Sequence, residues 1–238
     1  MAHSPSTVPD LLDHLRSTGG RPALTWYGEA GERIELSGAV LDNWVAKTVN
    51  LLVEEFDVDP GSTVAVDLPA GWRQVVWSLA AARCGAAVGL TDPTADPAGG
   101  AAVVDVVVTS RPSAWPDADE LVAVALPALA RRFDGDLPDG AVDAAAAVMT
   151  YGDVIGFDPA AGTRTPLDRL GAVTAGDAAG RTLVRGDAAV DEVLAEAVSV
   201  WARGGSVVLV GAGPLAELTA DPARLERLVA TEQITDGL

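Results

Sequence analysis

The sequence predicts an α/β fold: a mainly parallel sheet with helices on both faces. Three observations lead there. Residues 63–68 are a short β-branched, apolar run, entered at Pro60 and Gly61 and left at Pro69 and Gly71, which reads as a strand punctuated at both ends. From Trp72, apolar residues recur at Val75, Val76, Leu79, Ala80 and Ala82 until Gly85, the spacing of a helix with a glycine stop. Residues 86–90 then form a second apolar run, stopped by Asp92 and Pro93. Two such strands joined by one helix make a parallel crossover, and a parallel sheet is covered on both faces.

The other elements follow in chain order. Thr7 can cap a short helix with Pro9 in its first turn and a stripe of Leu11, Leu12 and Leu15, ended by Gly19 and Gly20. Strands at 23–27 and 33–36 flank a Gly28 to Gly31 turn and form a hairpin. Ser37 caps the longest helix, in which Val40, Leu41, Trp44, Val45, Thr48, Leu51, Leu52 and Phe56 keep the helical period over about five turns, with Asp42, Asn43 and Lys47 on the opposite face. After the crossover, 103–109 is a valine-rich strand and 121–126 a fourth. Residues 140–148 fit a buried helix or a small-residue strand, and alanine propensity favours the helix. The segment 152–187 is an irregular loop region rich in Gly, Asp, Pro and Thr, with one strand at 182–184. A helix at 188–203, a strand at 206–210, and a helix capped by Asp221 with Pro222 at its first position complete the pattern. The expected sheet contains 63–68, 86–90, 103–109 and 206–210, with Leu41, Trp44, Val45, Val75, Val76 and Leu79 buried against it. The whole chain, 1–238, reads as one domain.

Charge excludes some functions. With 34 acidic against 16 basic residues the formal net charge is −18, and no basic cluster exceeds Arg131 and Arg132. Nucleic acid and anionic membrane surfaces are therefore excluded as partners. Lys47 is the one lysine. A single cysteine, Cys84, leaves no internal disulfide framework and fits a reducing compartment. The N-terminus has no signal-peptide pattern, and no run approaches the ~18 apolar residues of a bilayer span, so a cytoplasmic location is expected.

Three blocks, read in order, resemble the N-terminal half of the adenylate-forming (AMP-dependent) acyl-CoA synthetase superfamily. The first runs from Ala23-Leu-Thr-Trp-Tyr27 through the Ser37 helix to Val58-Asp-Pro-Gly-Ser-Thr-Val-Ala-Val66 and Cys84-Gly-Ala-Ala-Val-Gly-Leu-Thr-Asp-Pro93. The second is 103–110; the third is 201–211 with 221–235. Together they cover about two thirds of the chain and imply a truncated actinobacterial relative of that N-terminal domain.

The resemblance implies the fold but not the activity. The superfamily's phosphate loop cradles ATP with hydroxyls, backbone N–H groups and a lysine. Nothing here matches it. The nearest fragments are Met149-Thr-Tyr-Gly-Asp153 and Ala161-Gly-Thr-Arg-Thr-Pro166, and Asp153 stands where phosphate would approach. The superfamily's adenine and ribose motifs and its closing lobe would lie beyond Leu238, and Lys47, on a polar helix face, replaces neither functional lysine.

Other constellations give way to plainer readings. Gly211-Ala-Gly213-Pro-Leu-Ala216 mimics a dinucleotide fingerprint, but Pro214 leaves no room for the helix that motif needs, and a strand-exit loop is expected. Asp134, Asp136 and Asp139 resemble a calcium loop, yet Pro138 and Ala145 stand at ligand positions, so an acidic turn is expected. His3 and His14 lack partners at ligand spacing. Asp92 to Asp96 reads as turn chemistry. Cys84 has no nearby histidine, so nucleophilic catalysis has no visible constellation. Trp26, Trp44, Trp72, Trp77 and Trp201 are expected in the core, and Trp115, between prolines, exposed. No catalytic residue, metal or resident cofactor is expected. The first functional expectation is a non-catalytic synthetase relative acting through a protein partner or ligand; the second is retained ATP, AMP or acyl-adenylate binding, or a split ligase completed by a partner.

Overall fold

The computed structural model describes residues 4–92, 94, 104–174 and 176–237. In chain order the elements are α1 (Val8–Ser17), β1 (Pro22–Tyr27), β2 (Arg33–Ser37), α2 (Gly38–Phe56), β3 (Thr63–Asp67), α3 (Trp72–Arg83), β4 (Ala87–Leu90) and β5 (Val106–Thr109). They continue with β6 (Leu121–Ala123), β7 (Val142–Asp143), α4 (Ala144–Ala147), β8 (Arg181–Gly186), α5 (Val190–Ala202), β9 (Ser206–Gly211), α6 (Ala212–Ala220) and α7 (Pro222–Glu232). The chain divides into two compact units, 1–42 with 70–72 and 166–238 as the first, and 43–69 with 73–165 as the second.

The second unit holds a five-stranded sheet in the order β4-β3-β5-β6-β7, every pairing parallel. β3 and β4 are the two strands joined by α3, in register Thr63 to Ala87 and Val66 to Leu90. β5 and β6 are buried at every position, so both faces of the sheet are covered, as a parallel sheet requires. α3 is buried nearly all round, with Val75, Leu79, Ala80, Ala81 and Ala82 at zero exposure. The expected strand at 103–109 starts at Val106; Val103 lies outside the described residues. The strand expected at 121–126 ends at Ala123, and Leu126 is exposed. Residues 140–148, expected helical, begin with a two-residue strand that extends the sheet, and Asp143 then caps a single helical turn by accepting from the N–H groups of Ala145 and Ala146. The two strand residues are Val142 and Asp143, while Ala144–Ala147 are helical, as their propensity favours.

The first unit holds a separate four-stranded sheet, β2-β1-β9-β8. β1 and β2 are the expected antiparallel hairpin, while β1, β9 and β8 run parallel. Strand 206–210 is expected in the same sheet as 63–68; it pairs instead with β1 (Leu24 to Val207) and β8 (Thr182 to Val207) in a second sheet. Apolar parallel strands are alike on both faces, so their pattern carries no address for a partner. Val208, Val210 and Leu183 face α6 and α7, packing with Leu215, Leu218 and Leu228. The alternate side chains Val207 and Leu209 are buried on the face where α5 packs, and Trp201 of α5 donates its indole N–H to the Ala23 carbonyl. Helices therefore cover both faces. The C-terminal stretch closes this sheet: the N–H of Leu183 donates to the carbonyl of Asp236, and Gly237 approaches so closely that a Cβ there would lie 2.2 Å from the Leu183 carbonyl oxygen.

Among the described residues of 152–187 no helix or strand precedes β8 apart from a short 3-10 turn at Leu167–Leu170. The stretch 151–158 is nevertheless tied down. Asn50 donates to the carbonyls of Gly152 and Val154 and accepts from the N–H of Gly156, and Arg83 forms a two-pronged ion pair with Asp158. The polar face of α2 is a docking rail rather than a solvated stripe.

Candidate functional site

In open α/β sheets a ligand binds beyond the carboxyl ends of the strands. At that end of the five-stranded sheet, β3 stops at Asp67, whose side chain is fully buried. It accepts from Thr109 Oγ1 at 2.7 Å, Arg111 Nε at 2.9 Å, Arg111 Nη2 at 2.8 Å and Trp115 Nε1 at 2.8 Å. Four donors on two oxygens leave the carboxylate satisfied. This also corrects Trp115, which is half-buried because its indole serves Asp67. At the corresponding end of the four-stranded sheet, α6 begins directly after Gly211. The fingerprint 211–216 is thus the start of a helix and not the expected loop, since Pro214 is tolerated in a first turn where no intrahelical N–H partner is needed. A Cβ at Gly213 would lie 2.4 Å from Glu29 Oε1, so a carboxylate already covers the place a phosphate would take. Trp26 lies against Gly28, Gly71 and Gly211. It is half-buried, as is Trp44, whereas Trp72, Trp77 and Trp201 are buried.

The fragments nearest a phosphate loop are employed otherwise. Lys47 donates to the Tyr151 carbonyl and pairs with Asp153 at 2.8 Å, and the Tyr151 hydroxyl donates to Glu55. Burial, then Glu55, pushes the Tyr151 phenol up to about 12. Residues 161–164 form an exposed turn with Gly162 at φ 86°. Asp134, Asp136 and Asp139 are exposed; among the described residues no group of three His, Cys, Asp or Glu side chains could hold a metal. His14 lies on α1, and His3 lies outside the described residues. Asp92 accepts from the hydroxyl and N–H of Thr94, the expected turn chemistry, which holds its carboxyl below the usual range; Asp96 lies outside the described residues. Cys84 is buried, and burial pushes its thiol up to about 12.

A cleft of about 660 Å³ opens in the first unit, at the amino ends of β1, β8 and β9 and along the sheet face toward Tyr27 and Arg33. Side chains alternate along strands, which puts Ala23, Thr25 and Tyr27 on one face of β1, and the cross-strand pair of Tyr27 with Arg33 extends that face onto β2. Over it stands Glu232, the last residue of α7, with its side chain 5% exposed. Tyr27 donates its hydroxyl to Glu232 Oε1; Arg33 donates to the same oxygen from Nε at 3.0 Å and Nη2 at 2.9 Å; Arg181 donates Nη2 to Oε2 and Nε to the Glu232 carbonyl. Arg181 also reaches Thr25 Oγ1 at 2.9 Å. Burial alone would raise the Glu232 carboxyl, but the bonds from Tyr27, Arg181 and Arg33 together hold it below its ordinary value. Burial and the adjacent Glu232 push the Tyr27 phenol up. Arg21 lines the same cleft, exposed, with no carboxylate partner among the described residues. Sequence reading missed this cluster, whose members span Tyr27 to Glu232; the arginines at strand starts, Arg181 above all, were its one local signal.

These features sit on a known scaffold. The chain has the acyl-CoA synthetase fold: it superposes on the crystal structure of Brucella canis acyl-CoA synthetase with a TM-score of 0.68 at 20% identity, covering 93% of this chain and 46% of that one. Acetoacetyl-CoA synthetase from Streptomyces lividans gives 0.58 at 18% identity, covering 84% and 38%. The chain thus spans less than half the length of these synthetases. No family model matches it. A TIGR03089 family protein of Mycobacterium tuberculosis (strain ATCC 25618 / H37Rv) is 36% identical over 254 residues, covering 98% of each chain, and the protein belongs to that family. No helix among the described residues is long and apolar enough to cross a membrane.

Proposed function

We propose that this protein is a non-catalytic relative of the acyl-CoA synthetases, acting as a binding or interaction module without a resident cofactor. The observation that carries the reading is Lys47. The chain's one lysine is committed to Asp153 and the Tyr151 carbonyl, so a phosphate would have to displace a carboxylate to reach it. Adenylate formation builds negative charge on a transferring phosphoryl group, and losing one well-placed donor from such a site costs about 3 kcal/mol or more. Two further observations support the reading. Asp67 takes the Thr109, Arg111 and Trp115 donors that would otherwise face an anion at the strand ends, and Glu29 covers the start of α6. A net charge of −18 adds a general opposition to ATP.

The pure protein is expected to give no carboxylate-dependent pyrophosphate exchange with short or long carboxylates, and calorimetry with ATP and AMP no saturating heat beyond that of inorganic phosphate alone. Exchange above background would overturn the reading in favour of a ligase, alone or completed by a partner; saturating heat with AMP but no exchange would favour retained adenylate binding.

A further inference from the structure

We infer that the cleft above Tyr27, Arg33 and Arg181 is a binding site for a small oxyanion, a metabolite-sized molecule carrying a carboxylate or phosphate. The inference rests on the reading of the protein as a binding module and gives that module its ligand class. Charge comes first. Across the chain acids outnumber bases 34 to 16, yet the cleft gathers Arg21, Arg33 and Arg181 against Glu35 and Glu232. A local excess of positive charge in so acidic a molecule concentrates anions at that spot and leaves other surfaces repellent.

Preorganisation comes second. Glu232 holds Arg33 and Arg181 from opposite carboxylate oxygens, and Tyr27 and Thr25 fix the same groups from the sheet. Their rotamer freedom is spent in folding, so a ligand meets donors already in place. Donor capacity remains after that. Arg33 Nη1 and both Nη groups of Arg21 make no hydrogen bond among the described residues, and Arg181 Nη1 reaches only Ser206 Oγ at 3.4 Å. Guanidinium edges of this kind match a carboxylate or phosphate two bonds at a time. Leu15, Pro22, Ala23 and Ala179 supply an apolar wall for the body of the ligand, and 660 Å³ lies within the size range of small-molecule sites. The cleft opens at the amino ends of β1, β8 and β9, opposite the strand ends at which such sheets ordinarily bind.

The test is calorimetry and thermal denaturation of the full chain with inorganic phosphate and, separately, succinate, each against chloride at equal ionic strength. Saturable binding and a rise in Tm with either anion beyond chloride are expected, the tighter of the two showing whether the natural ligand presents phosphate or carboxylate. Arg21→Ala, which touches no part of the Glu232 cluster, should keep the Tm of the free protein and weaken binding about tenfold or more; Arg21→Lys should restore part of it. No saturable effect of either anion, or equal binding by wild type and Arg21→Ala, would overturn the inference and leave the cleft as the socket of Glu232. Pyrophosphate exchange would sink the non-catalytic reading without moving these readouts, so the two failures are distinguishable.

Discussion

Asp67 and Glu232 are the same device used in two ways. Each is a nearly fully buried carboxylate, held by arginine and by an aromatic donor, Trp115 for Asp67 and Tyr27 for Glu232. Around Asp67 the donors come from β5 and the turn that follows it, within a few residues of each other, and the carboxylate is saturated. Around Glu232 they come from β1, β2 and β8, and the arginines stand at the wall of an open cleft with donors to spare. A closed cluster locks a strand end, whereas an open one presents charge. Counting buried ion pairs would not tell them apart; following each guanidinium nitrogen to its acceptor does.

The largest effect should come from the closed cluster. Arg111→Ala leaves Asp67 buried without its counter-ion and should cost about 3–5 kcal/mol in denaturant unfolding; a loss under about 1 kcal/mol would mean that water or a neighbour reaches Asp67. Leu79→Ala, under the crossover of the same unit, should cost about 2–5 kcal/mol by leaving a cavity at a position with zero exposure. Arg181→Ala should cost less, about 1.5–3 kcal/mol, because Arg33 and Tyr27 still hold Glu232.

Titration sharpens the contrast further. The Glu232 carboxyl is lowered from 4.5, so the folded state binds its proton less readily than the unfolded one. Its stabilisation is full above about pH 4.5 and fades as pH falls through the lower folded value. Glu232→Gln should therefore flatten the acid limb of the stability curve, and an unchanged limb would contradict the clamp. The smallest readout is spectroscopic. The chain has two tyrosines, Tyr27 and Tyr151, both raised above 10.0, so tyrosinate absorbance should show no component at the ordinary value until the protein unfolds.

The sequence carried the local elements well and their partnerships poorly. The Thr63 to Leu90 crossover, the hairpin and the helices after Ser37 and Asp221 were legible because each is set by neighbours in sequence, a cap, a period or a glycine stop. Strand 206–210 was legible as a strand but not as a member of a second sheet, because Val207 and Val208 look alike to every apolar neighbour. The strand-exit loop expected at 211–216 is a helix because Pro214 falls where helices accept proline. The cleft was invisible for a stronger reason. Tyr27 and Glu232 are 205 residues apart, and only folding brings an ordinary tyrosine, two arginines and a glutamate to one place.

The most direct measurement is side-chain NMR of the arginine Nε–H groups of the full chain during titration with phosphate and with succinate. Arg33, Arg181 and Arg21, which line the cleft, should shift together and saturate, while Arg111, which does not line it, stays still. If Arg111 moved as they do, or if all four stayed at their starting positions, the distinction between a closed cluster and an open, ligand-binding one would be contradicted.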